Sequence, residues 1–183
     1  QLQFGADVVV PAFTDDHAPG LHRVQDLGAG AITFLSSANP EDLALLLAHH
    51  GWGSVDPDRP VYLEGKVKSV KWQNPHVELA LEIAPGLKLP ADLAGRAIPA
   101  QVAPVEGKTL LSKAVTPKRS DKVWEIELAP LTRVEAWKIP EIKPGTAVAL
   151  LGYTFKDEKG AAILRAEYLW LSGQIYALRS NPA

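Results

Sequence analysis

From Val61 onward the chain alternates apolar and polar positions in short runs, the period-two pattern of strands with one buried face. In VYLEGKVKSVKW, Val61, Leu63 and Val67 stand against Tyr62, Glu64, Lys66 and Lys68, and Gly65 marks a bend or bulge. HVELALEI places Val77, Leu79, Leu81 and Ile83 on one face. KVWEIELA, TAVALLGYTF and AAILRAEYLWL repeat the pattern, and GQIYAL follows a Ser172-Gly173 turn. A long bent first strand and about five more predict a mainly β fold. The expected architecture is a small OB-like barrel of five to six strands over residues 55–183, with a sandwich as the alternative.

Two segments break the strand pattern. Residues 84–122 are rich in Pro, Ala and Gly and only weakly periodic, which predicts a long insertion loop with one helical turn; loops of that length are usually functional or mobile. PLTRVEAWKIPEIKPGT predicts a short helix that stops at the prolines. Residues 1–54 read as an N-terminal arm. In it, ADVVVPAF and AGAITFLSS are apolar strands without an evident hairpin partner. Asn39 as N-cap, Pro40 at the first helical position and Glu41 and Asp42 in the first turn then start a helix near residues 40–50. Leu43, Leu46 and Leu47 form its apolar stripe, and Gly51 ends it.

Composition removes several kinds of chemistry. A length of 183 residues, 46% of them hydrophobic and 22% charged, suits one buried domain with an appendage. A net charge of -2 gives no global field to draw in nucleic acid or anionic membrane, and no apolar run reaches the roughly 20 residues of a membrane span. The absence of Cys excludes disulfides, thiolate ligands and a thiol nucleophile, and the absence of Met removes thioether ligands suited to Cu(I). With no initiator Met, the chain beginning at Gln1 is expected to be a processed or truncated product. There is no Gly-rich phosphate loop, G-x-S-x-G or H-E-x-x-H, and the expectation is a protein that is not an enzyme. Asp15, Asp16 and His17 are expected to make turn contacts, and Glu125 and Glu127 to face solvent on one strand.

The histidines carry the specific chemistry. His49 and His50 are adjacent, and adjacent side chains on a helix diverge by about 100°, so the pair alone does not chelate one ion on regular backbone. One reading makes them the end of the helix, where the dipole favours imidazoles. The other adds His76, and with it Asp56, to form a Cu(II) or Zn(II) site; Asn74-Pro75 sets His76 at the mouth of the second barrel strand. Trp52, Trp72, Trp124, Trp137 and Trp170 offer a stacking platform or, as in most small barrels, core packing. Lys108, Lys113, Lys118, Arg119 and Lys122, with Asp121, form the most basic stretch; a solvated loop is its expected use, rather than a single-strand nucleic-acid site.

AHHGWGSVD, PVYLEGKVKSVKWQNPHVELALEI, KVWEIELAPLTRV and KPGTAVALLGYTFKDEKGAAILRAEYLWLSGQIYALR together resemble a family of small exported bacterial proteins of no established activity. Its marks are an Ala-His-His motif near the mature start and a Trp-x-Asn-Pro-His motif. The resemblance runs from Ala48 to about Arg179, outside the insertion, and implies a periplasmic or secreted β-barrel. It also implies cleavage close to the two histidines, with LALLLA as a signal core. Here Leu46 stands where a small residue is wanted, the apolar run is short, and Glu41 and Asp42 occupy the place of positive charge, so residues 40–50 are read as a helix.

The expected role is therefore a non-enzymatic exported binding or accessory protein, holding copper or zinc through His49, His50 and His76. The alternative is a structural subunit of a larger extracytoplasmic assembly. Its partner is then another protein or a second copy, reached through the N-terminal arm as an added strand.

Overall fold

A computed structural model describes residues 55–183 throughout and, before them, the backbone of two short strands. The chain divides into two compact units, residues 1–49 and 50–183. In the first, β1 (Val24–Asp26) and β2 (Ile32–Phe34) pair antiparallel, with Val24 opposite Phe34. The apolar run around Ile32 thus finds a strand partner within the arm. ADVVVPAF and the helix expected near residues 40–50 lie outside the described residues.

The second unit is the barrel. β3 (Val61–Lys71), β4 (Glu78–Ile83), β5 (Val123–Glu127), β6 (Ala147–Tyr153), β7 (Ile163–Leu171) and β8 (Gln174–Ala177) form one sheet in the order β5-β4-β3-β6-β7-β8. Parallel pairing of β5 with β7, Ile126 opposite Leu164, closes five of the strands into an OB-like barrel and leaves β8 as an addition on β7. Closure excludes the open sandwich. The inward residues are those the alternation marked: Val61, Leu63, Val67, Val77, Leu79 and Leu81, with Trp124, Ile126, Leu150, Leu164 and Leu169 from the later strands.

Gly65 serves a purpose other than the bend expected of it. A Cβ there would lie 1.9 Å from the Glu82 carbonyl oxygen, so glycine is needed for the close passage of β4. The bulge falls later in the strand: Val67 pairs with Leu81 and Ser69 with Ala80, which leaves Lys68 as the extra residue. Ser172 and Gly173, both at positive φ (50° and 78°), make the tight turn from β7 to β8.

The 84–122 insertion is not a loose loop. It contains a 3₁₀ turn (Leu93–Gly95) and α1 (Gly107–Lys113), and it buries Leu93, Leu111 and Ala114. These residues build a second core with Tyr62, Leu151, Tyr168 and Ala177, on the outer face of β3, β6, β7 and β8. Tyr62, placed by alternation among the polar positions, is accordingly only 1% exposed. α2 (Leu131–Ala136), starting after Pro130, connects β5 to β6 where a short helix was expected.

Candidate functional site

His76 ends the loop that joins β3 to β4. The next residue, Val77, is wholly buried; its N–H donates to the Ala129 carbonyl and its carbonyl accepts from the Leu128 N–H, both at 2.9 Å. Those two bonds fix His76 beside the end of β5. There its Nδ1 lies 3.7 Å from Oε1 of Glu127, within ion-pair reach and just beyond a hydrogen bond. Nδ1 is buried and has no hydrogen-bond partner, while the side chain as a whole is 27% exposed.

Glu127 was expected to face solvent with Glu125. It is instead buried at 8% exposure, because β7 lies against β5 and sets Arg165 opposite it. Arg165 Nη2 reaches both carboxylate oxygens, at 3.0 Å and 3.1 Å. On the other side, register places Glu78 of β4 directly opposite Glu127, a like-charge pair that is unfavourable on its own. Each member has its own cation: Lys71 lies 2.9 Å from Glu78, and Arg165 holds Glu127. The outer face of β4 and β5 therefore ends in a row of Lys71, Glu78, His76, Glu127 and Arg165. It also carries the exposed Glu82 and Val123 and the half-buried Glu125. The second core formed by the insertion packs against β3, β6, β7 and β8 and takes no residue from this face of β4 and β5.

The other residues singled out in the sequence fall as follows. His49, His50, Trp52, Asp15, Asp16 and His17 lie outside the described residues. Asp56 accepts the Asp58 N–H at 3.1 Å, and its own N–H donates to the Thr154 carbonyl, so it is engaged in a turn. Among the described residues no group of three or more His, Asp or Glu could hold a metal ion. The four described tryptophans are used for packing. Trp124 is fully buried in the barrel, Trp72 and Trp137 pack against that core, and Trp170 lies against the second core with the Arg96 guanidinium 5.5 Å from its ring centroid.

The basic stretch is partly structural as well. Lys108 donates to the Arg96 carbonyl at 2.8 Å. Arg119 pairs with Asp121, donates to the Glu158 and Gly160 carbonyls, and lies over the Trp124 ring.

Two buried carboxylates escaped the sequence reading. Glu167, 0% exposed, is the extra residue of a bulge in β7, since Leu151 pairs with Tyr168 and Gly152 with Ala166. Arg179 donates to its Oε2 through Nε and Nη2, at 2.9 Å and 2.6 Å, and so fastens the C-terminal segment to the barrel. Burial pushes the Glu167 carboxyl up, and burial together with that carboxylate pushes the Tyr153 phenol up to about 12. Glu158 accepts the Lys118 and Arg119 N–H groups at 2.9–3.0 Å and the Arg59 guanidinium, tying the β6–β7 loop to the insertion. Both carboxylates join segments of the fold and neither is open to a ligand, so the charged row at His76 remains the candidate site. No family model matches the chain, and no curated protein matches it.

Proposed function

We propose that the protein is a non-enzymatic extracytoplasmic binding or accessory protein that holds Cu(II) or Zn(II), with His76 as the anchoring ligand. The observation that carries this reading is the imidazole of His76. It is fixed at the end of β5, keeps part of its side chain open to solvent, and is backed by a carboxylate that is itself anchored by Arg165. Imidazole without thiolate or thioether suits these two ions. The described residues do not complete a ligand set, and the sequence supplies His49 and His50 as the further ligands. The extracytoplasmic address is supported by the Ala-His-His and Trp-x-Asn-Pro-His motifs.

The test is a Cu(II) titration of the full chain followed by NMR of the histidine side chains. Paramagnetic loss of the His49, His50 and His76 signals at one equivalent of metal is the expected result. Signals that persist at stoichiometric copper would sink the reading.

A further inference from the structure

The insertion leaves the barrel and returns to it at one place. Ala84 donates its N–H to the Glu64 carbonyl at 2.8 Å, and the Val115 carbonyl accepts the Tyr62 N–H at 2.8 Å, so the two feet stand two residues apart on β3. Between them, among the described residues, the backbone hydrogen bonds of residues 85–114 run within the segment or to the C-terminal residues, and none reaches a barrel strand. Side chains bind the segment to itself as well: Arg96 pairs with Asp92 at 3.0 Å, and Lys108 donates to the Arg96 carbonyl at 2.8 Å. On the barrel it rests through apolar contact, Leu93, Leu111 and Ala114 against Tyr62, Leu151, Tyr168 and Ala177, with the Arg96 guanidinium over the Trp170 ring. The C-terminal residues latch it. Val102 donates its N–H to the Asn181 carbonyl at 3.0 Å, Ala103 to Ser180 Oγ at 2.8 Å, and Ser180 to Gln101 Oε1 at 3.1 Å.

A segment with adjacent feet, bonds of its own and an apolar seat opens without breaking any strand ladder, which puts it at the low-stability end of the structure. We propose that residues 85–114 are a lid that swings off the outer face of the barrel as one unit, hinged at Ala84 and Val115 and latched by Ser180 and Asn181. The lid is independent of the metal reading of His76. What it uncovers is an aromatic surface: the rings of Tyr62 and Tyr168, each with its centroid 6.3 Å from that of Trp170.

The chain has no Cys, so a single introduced thiol reports the exposure of its own position. Leu93→Cys and Leu111→Cys place it in the seat of the lid, and Leu79→Cys places it inside the barrel; all three leucines are 3% exposed or less. The folded full chain is treated with an aromatic disulfide reagent, and each rate is divided by that of the same thiol in the unfolded chain. Labelling at the two lid positions is expected to be at least about 10-fold faster than at Leu79, and equal at the two. Rates that match the one at Leu79 would mean that the insertion leaves only when the barrel unfolds. Unequal rates at Leu93 and Leu111 would mean that it frays piecewise, and either result overturns the proposal. Should a variant not fold, hydrogen exchange of the wild-type amides decides. Val102 and Leu110 are then expected to open together, at least about 10-fold less protected than Val77 and Leu128. Separate opening of Val102 and Leu110, or equal protection of all four amides, overturns the lid.

Discussion

Arg179→Ala is expected to destabilise the protein by about 3 kcal/mol, because it leaves the fully buried carboxylate of Glu167 without its principal cation. For a chain of this size that is a fall of about 6–12 °C in Tm. The loss is at the low end for a broken buried pair because the Arg133 guanidinium also lies near enough to favour the Glu167 charge. Glu167→Gln in the same chain should restore most of the loss, since it removes the charge and keeps the shape. Thermal melts of the two single variants and the double variant measure the coupling directly.

The pH dependence has a definite sign. Burial raises the Glu167 carboxyl above its ordinary value of 4.5, so the folded state holds that proton more tightly than the unfolded chain. Its contribution therefore falls as pH rises through the raised folded value. The deficit of Arg179→Ala should accordingly shrink as pH is lowered, because protonation discharges the stranded group.

Glu158→Ala is the second large effect, about 3 kcal/mol, from depriving two backbone N–H groups and a guanidinium of one shared acceptor. Its pH dependence runs the opposite way. Burial raises the Glu158 carboxyl, but the Lys118 and Arg119 amides and the Arg59 guanidinium outweigh that effect and hold it below 4.5. The stabilisation is then fully present above the unfolded value of about 4.5 and is lost as pH falls through the lower folded value. In melts between pH 7 and pH 3, the gap between wild type and Glu158→Ala should stay constant down to the ordinary carboxyl range and narrow below it. A gap that widens with acid would contradict this role for Glu158.

Much of the barrel was legible because alternation is a direct record of a buried inner face. Val77 just before β4, Leu79 and Leu81 within it, and Trp124 and Ile126 in β5 all face inward, as the pattern required. The outer face was not legible. Tyr62 and Glu127 occupy polar positions of their strands, yet both are buried, one beneath the insertion and the other beside Arg165. Alternation assumes water on the second face, and the insertion that removes the water from Tyr62 has no periodicity of its own. Glu167 was hidden for another reason. A bulge breaks the two-residue period at that residue, and the break is a property of pairing with β6. At the candidate site His76 was visible as a residue type after Asn74-Pro75. Its partner Glu127 is 51 residues away and meets it only through the closure of the β5 end, so no local signal joined them.

The claim that His76 anchors a metal site is tested most directly by calorimetric titration of the full chain and its His76→Ala variant with Zn(II). His76 is half-exposed at a loop end, so its truncation leaves both cores intact. One saturable Zn(II) site is expected in the wild-type protein, and its loss, or a weakening of at least about 10-fold, in His76→Ala. Identical isotherms for the two proteins, or no binding by either, would contradict it.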